Sequence, residues 1–176
     1  MTNYTAPLYR AYYKSPIGEV EITATESEIR SLEFVNGKKK AKATTVSPAL
    51  KACLKQLDEY FRGERRIFEL MLRLEGTEFQ CDVWQALLDV PYGATASYAD
   101  IAKAAKRPKA VRAVGSANGA NPISIIVPCH RIIATGGGLG GYGGGLDRKE
   151  WLIEHEWKHK TPAPAKKKAA RAKSPK

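Results

Sequence analysis

The chain has 176 residues, 43% of them hydrophobic, and a formal net charge of +11. That length fits one domain, or one with a small subdomain, and supplies enough apolar residues for a core. No apolar run is long enough to span a membrane, and neither a signal peptide nor membrane attachment is expected.

Cys53, Cys81 and Cys129 are widely spaced with no CxxC, which argues against a disulfide framework or zinc site. The positive charge favours a polyanionic partner. Six lysines and arginines and no acids fall in residues 161–176, which leaves about +5 for residues 1–160. That last segment is Lys, Ala and Pro with almost nothing to bury, so disorder is expected there.

In chain order, residues 10–35 read as a β-meander. A strand at Arg10–Lys14 is followed by the turn Ser15-Pro16-Ile17-Gly18. Glu19–Thr25 alternates, with Val20, Ile22 and Ala24 on one face, and Ile29–Val35 makes a third strand. Ser47-Pro48 opens a helix whose Leu50, Leu54, Leu57, Tyr60 and Phe61 recur at helical spacing up to Gly63. Cys53 is a packing residue by its position. Phe68, Leu70, Leu72 and Leu74 alternate as a further strand. A helix over Thr77–Val90 is capped by Thr77, with Cys81 off its apolar stripe and therefore the more exposed spare thiol. Pro91-Tyr92-Gly93 is a turn. Short helices follow at Tyr98–Ala105, capped by Ser97, and at Lys109–Ala120. A strand at Ile123–Val127 leads to Cys129, a glycine-rich loop occupies Gly136–Gly145, and Asp147 caps a last helix, Arg148–Trp157.

The chemistry concentrates in Ile125-Ile126-Val127-Pro128-Cys129-His130-Arg131-Ile132-Ile133. Apolar flanks enclose a proline, a thiol, an imidazole and a guanidinium. Pro128 lacks an N–H and fixes its own φ, so Cys129 should sit at a bend. Two neighbouring cationic groups can lower a thiol pKa. Alone, a Cys-His pair is more often a buried structural cysteine beside a capping histidine. The helices at 97–105 and 109–120 have helix-turn-helix proportions. The second is almost all small or basic, which suits shape-driven DNA contact better than major-groove readout by long side chains. Close packing within the domain would use the same small residues. Gly136–Gly141 formally matches G-x-G-x-x-G, but too little chain follows for a dinucleotide fold, so it reads as a flexible wall carrying Tyr142.

Together, Tyr98, Arg112-Ala113-Val114-Gly115, Asn121-Pro122, Pro128-Cys129-His130-Arg131, Tyr142, Trp151-Leu152 and His155-Glu156 resemble the O6-alkylguanine-DNA alkyltransferases, in detail over residues 77–157. The resemblance implies an α/β N-terminal subdomain (1–75: small antiparallel sheet and helix) carrying no motif of its own. A mainly helical DNA-binding subdomain with a helix-turn-helix and the active site (76–160) would follow, then the basic tail (161–176).

It implies DNA repair by direct, irreversible, stoichiometric transfer of an alkyl group from O6-alkylguanine, with O4-alkylthymine a further candidate, to Cys129. His130 would take the thiol proton through a water, and Glu156 would orient and charge-balance His130. Asn121 would tie the recognition helix to the active-site strand, and Arg131 would brace the site. Tyr98 would displace a phosphate and help protonate the leaving guanine. Arg112 would fill the vacated base stack, and Ser97, Lys109, Ala113, Gly115 and Ala117 would complete the DNA face. Tyr142, Ile132, Gly143 and Pro128 would form the base pocket, with the carbonyls of Cys129 and Ile132 reading the exocyclic amine. The expected partner is double-stranded DNA containing alkylated guanine, met by a monomer without cofactor or metal. The expected location is the bacterial cytoplasm, with the nucleoid, or a eukaryotic nucleus.

Two departures stand out. Position 143 is Gly where some relatives carry a side chain able to contact O6, and the tail lies outside the family pattern. A lesion-binding relative without transfer, or a Cys-His hydrolase, are the competing readings; the first lacks the cysteine and the second leaves the helical pair unexplained.

Overall fold

A computed structural model of the chain describes residues 6–160 and the backbone of Ala172–Lys173. Strands β1 (Tyr9–Ser15), β2 (Gly18–Ala24) and β3 (Ile29–Phe34) form the antiparallel meander. The alternation in β2 sends Val20, Ile22 and Ala24 into the core, opposite Phe34, Leu32 and Ile29 of β3. Helix α1 (Pro48–Phe61) covers that face. Ser47 accepts a hydrogen bond from the Leu50 amide, and Pro48 loses nothing at a position whose N–H has no helical partner. The buried stripe runs through Leu50, Cys53, Leu57, Tyr60 and Phe61, with Leu54 half-buried at its edge.

Phe68, Leu70, Leu72 and Leu74 are all buried, as their alternation implies, but only β4 (Leu72–Arg73) forms a ladder, parallel to β3. The free edge of β3 is shared. Farther along it, the Leu32 amide donates to the Pro122 carbonyl and the Ser124 amide donates to the Leu32 carbonyl. The edge of the N-terminal sheet is thus paired directly to the segment that leads to Cys129.

Helix α2 (Glu78–Leu88) starts in a capping box between Thr77 and Gln80. The short strand β5 (Ala96–Ser97) runs into α3 (Tyr98–Ala104), also begun by a capping box, here Ser97 with Asp100. Helix α4 (Val111–Gly119) is held to α2 by the Trp84 indole, which donates to the Ala117 carbonyl at 2.8 Å. Strand β6 (Ile132–Ile133) pairs parallel with β5, and α5 (Leu146–His159) closes the domain. The backbone pair Ala172–Lys173 (β7) lies parallel to β4; the rest of the segment expected to be disordered lies outside the described residues.

Four expectations are corrected. Helix α4 begins at Val111, not Lys109, because the Ala110 amide closes a turn on Arg107. Arg112 therefore sits in the first turn of α4. Gly145, with φ 98°, precedes α5 where Asp147 was expected to cap it, and Asp147 lies within the first turn. Cys81 is buried, its thiol near the Leu74 and Gly76 carbonyls. Residues 123–127 form a tight turn, not a strand.

Candidate active site

That turn is built by Asn121. Its amide group donates to the Val127 carbonyl (2.8 Å), and its Oδ1 accepts from the Ile123 amide (3.0 Å). The Val127 amide returns to the Ile123 carbonyl, and Ile125 is forced to φ 71°, a costly conformation for a β-branched residue. Pro128 then leads into a single 3₁₀ turn, Cys129–Arg131, which runs straight into β6. Cys129 thus sits at a bend between a strained turn and a strand. Because β6 pairs with β5, the start of α3, with Tyr98, is carried by the strand beside the one that leaves the cysteine turn.

Glu156 of α5 is the hub of the buried charge. Its Oε1 accepts from His130 Nε2 (2.8 Å), Arg131 Nη2 (3.0 Å) and the Tyr60 hydroxyl (2.8 Å). Its Oε2 accepts from Arg131 Nε (2.8 Å) and the Gly93 amide (3.1 Å). Arg131 also donates to the Val90 carbonyl (2.6 Å). The expected turn at Pro91-Tyr92-Gly93 therefore has a task. Gly93 is at φ +72°, and a Cβ there would lie 2.8 Å from Lys160 Cβ, so only glycine brings this N–H to the carboxylate. Burial works against the Glu156 charge, but the donors from His130 and Arg131 outweigh it and hold the carboxyl far below the usual range. With Glu156 ionised, His130 Nε2 must be the donor, and Nδ1 carries the lone pair. Among the described residues, that buried Nδ1 has no hydrogen-bond partner.

Burial pushes the Cys129 thiol up to about 11, against the opposing pull of Asn121 and Lys149. Burial also lowers the His130 pKa, despite the pull of Glu156. The resting thiol and the imidazole that follows it in the chain are therefore both neutral, and the imidazole keeps a basic nitrogen without a partner among the described residues. Cys129 lines a cleft of about 190 Å³ together with Asn118, Asn121, Ser124, Gly143 and Gly144, and with Phe34 and Asn36 from the end of β3 and the turn after it.

Two consecutive cations in α5 fasten the glycine-rich loop. Lys149 is buried, and its ammonium donates to the carbonyls of Ile132, Leu139 and Gly141. Arg148 donates to Gly144 (2.7 Å) and Ile17 (2.6 Å) and to Asn36 Oδ1, joining the loop to the N-terminal sheet. Cations are disfavoured in the first turn of a helix, so this placement needs the carbonyl partners it finds. Gly140, at φ +67°, lies over Tyr98: a Cβ there would be 2.6 Å from the tyrosine hydroxyl. The Tyr142 hydroxyl is buried, with the Ser124 side chain beside it, and burial pushes its pKa up.

The residues singled out in the sequence separate into an inner and an outer set. Cys129, His130, Arg131, Glu156 and Asn121 form the connected interior just described. Pro128 and Ile132 are buried and do not line the cleft, and the Ile132 carbonyl already receives Lys149. Gly143 does line it. Arg112, Lys109 and Ala113 are exposed, and Gly115 packs near the Tyr98 ring. Ala117 is buried against α2, which removes its side chain from the outer face; the Ser97 side chain is taken up by its capping box. The one Asn of α4, Asn118, also points inward, toward the Cys129 carbonyl at 3.4 Å. Sequence reasoning missed Lys149, Tyr60, Arg148 and the Gly93 amide. A lysine at a helix start was the one signal it had for Lys149; nothing local marked the others.

Comparison with known proteins follows this geometry. The family described as "6-O-methylguanine DNA methyltransferase, DNA binding domain" matches residues 78–158, and its "ribonuclease-like domain" matches residues 8–74. A methylated-DNA–protein-cysteine methyltransferase of Methanosarcina acetivorans is 45% identical over 153 residues, 85% of this chain and 98% of its own. One from Mycobacterium tuberculosis is 46% identical over 154 residues, 86% and 92% respectively. The crystal structure of the M. tuberculosis O6-methylguanine methyltransferase superposes with a TM-score of 0.79 at 42% identity, covering 91% of this chain and 97% of that one. M. tuberculosis OGT in complex with DNA gives 0.78 at 44% identity, over 84% and 92%.

Proposed function

The chain belongs to the 6-O-methylguanine DNA methyltransferase family, and from that premise we propose that it repairs O6-alkylguanine in double-stranded DNA by moving the alkyl group to Cys129, each molecule acting once. The observation that carries the residue assignment is His130. Its Nε2 is fixed on Glu156, while its buried Nδ1 has no partner among the described residues, and the residue before it in the chain is the buried Cys129, whose thiol is protonated at rest.

The flipped base brings its O6-alkyl carbon to the cleft. The thiol proton passes through a water to His130 Nδ1, and the imidazolium is stabilised by Glu156. The sulfur lone pair forms the C–S bond as the C–O6 bond breaks, and its electrons pass onto the guanine. Tyr98 gives its proton to the base at N3, and the buried Tyr142 hydroxyl, which has Ser124 beside it, donates toward O6. Guanine leaves neutral, and the proton on His130 restores Tyr98 through solvent. Nothing in this sequence cleaves the thioether, so the thiol is spent. Lys149 keeps the loop over the site and places a positive charge near the developing thiolate.

Helix α4 supplies the DNA contact. It has no side-chain cap, so its first amides are open to phosphate, and Lys109 and Arg112 stand exposed at that end. Arg112 fills the gap left by the flipped base. The division near residue 75 belongs to the same proposal, supported by the two matched ranges. No helix among the described residues is long and apolar enough to cross a membrane. A role on DNA places the protein in the cytoplasm of a bacterium or the nucleus of a eukaryote. Intact-mass analysis after mixing with DNA containing O6-methylguanine tests the reading. One methyl adduct per chain on the Cys129 peptide is expected; lesion binding without added mass, or multiple turnovers, refutes it.

A further inference from the structure

Tyr60 lies in the last turn of α1, outside the helical half that holds the cysteine, yet its hydroxyl reaches Glu156 across 96 residues of sequence. It is fully buried, with Phe61, Phe68, Tyr92 and His155 around its ring. Its main-chain carbonyl meets His155 Nε2 at 2.8 Å. One residue of α1 thus grips two consecutive residues of α5, one by backbone and one by side chain. Phenylalanine would fill the same space without burying a hydroxyl. The hydroxyl donates to Oε1, the same oxygen that His130 Nε2 uses, rather than to a bystander carbonyl.

We infer that Tyr60 is a positioning residue of the transfer reaction: by sharing Oε1 with His130, its hydroxyl limits how strongly Glu156 draws on the imidazole. The inference rests on the transfer reading above. A carboxylate oxygen that accepts from several donors spreads its charge among them. Arg131, the Gly93 amide and Tyr60 together leave Glu156 less basic toward His130, so the thiol keeps its proton until a base is docked. The other titratable groups facing this cluster are Lys149 and His155 on α5, Tyr92 with Arg66 stacked over it, Tyr142, and Cys129 itself. None but Tyr60 and Arg131 adds a side-chain hydrogen bond to the oxygen that His130 occupies.

Tyr60→Phe removes the hydroxyl and keeps the ring. The neighbouring Phe61→Leu disturbs the same aromatic cluster without touching Glu156. Single-turnover methyl transfer is measured from about pH 5 to 9, and the His130 ring is titrated by NMR, the chain having only three histidines. In Tyr60→Phe the His130 titration and the acid limb of transfer should both move to higher pH by about half a unit or more, while Phe61→Leu keeps the wild-type midpoints. Superimposed midpoints for Tyr60→Phe and wild type, with stability alone reduced, would overturn the inference. The wild type supplies a measurement that does not depend on the variant folding: the Tyr60 hydroxyl proton should be in slow exchange, with a chemical shift that follows the His130 titration. A shift indifferent to His130 also overturns it. If wild type takes up no methyl, the transfer reading has failed, and the NMR titrations still decide the coupling.

Discussion

Glu156→Gln is the substitution that separates a structural carboxylate from one that serves both fold and chemistry. The shape is kept and the charge is lost. The oxygen pair now accepts five hydrogen bonds, from Tyr60, Gly93, His130 and twice from Arg131. A glutamine offers one oxygen and turns an NH₂ toward donors. Arg131, itself buried, is left without its counter-charge. Breaking a buried pair on one side costs about 3–5 kcal/mol, a large share of the roughly 5–15 kcal/mol that holds a domain folded. The imidazolium loses its stabiliser as well, so transfer should slow by about 10²–10⁴-fold, the usual worth of general-base assistance.

The pH dependence has a definite sign. The folded pKa of Glu156 lies below its unfolded value, so its stabilisation is present above about pH 4.3 and is lost as pH falls toward the folded value. Burial lowers His130 and His155 too, so stability should already decline below about pH 6.5. Urea denaturation of wild type and variant from about pH 3 to 8, with single-turnover transfer at pH 7, reads all of this. If Glu156→Gln stays within about 0.5 kcal/mol of wild type and transfers within threefold, the hub assigned to Glu156 does not exist.

Three further outcomes are expected. Lys149→Met leaves the Ile132, Leu139 and Gly141 carbonyls without their donor; of these the Ile132 carbonyl is buried, and a buried acceptor left unsatisfied costs about 1–3 kcal/mol. Loop amides over 136–145 should then exchange faster by hydrogen–deuterium exchange, and transfer should slow; unchanged exchange rules out the strap. Gly140→Ala puts a Cβ against the Tyr98 hydroxyl at a positive φ, and a misplacement of about 1 Å near the chemistry can cost 10²-fold in rate. Wild-type single-turnover kinetics would exclude a role for Tyr98 under that loop. Arg112→Ala should slow transfer from duplex DNA far more than from the free modified base, because only the duplex has a stack to fill. Equal losses on both substrates refute the assignment.

The sequence made legible what local pattern controls. Alternation located β2 and β3, and capping residues located the starts of α1, α2 and α3, because caps and periodicity act within a few residues. It failed where tertiary pairing decides. The apolar run 123–127 has strand composition, yet Asn121 bonds both ends of it and folds it into a turn. Phe68–Leu74 has strand alternation, but the β3 edge it would need is occupied in part by Pro122–Ser124. The Cys-His-Arg motif gave the interior of the site, since those residues are adjacent in the chain. Tyr60 and Gly93 could not be found that way: they meet Glu156 from 96 and 63 residues away, and their residue types are ordinary in a helix end and a turn.

The buried resting state of Cys129 suits a protein that reacts once. A thiolate exposed to water would be the better nucleophile but also the better target for oxidants and stray electrophiles, and either would consume the molecule without repair. Burial pushes the Cys129 thiol up to about 11, even with Asn121 and Lys149 pulling the other way, so the thiol is protonated at neutral pH. On the proposed mechanism, reactivity is created at the moment of docking, by proton transfer to His130, whose second nitrogen is already anchored on Glu156. The anchored His130, the saturated Glu156 and the lysine-strapped loop are parts of one arrangement. They keep the thiol quiet in the empty site, and they leave little to reorganise once a flipped base excludes water from it.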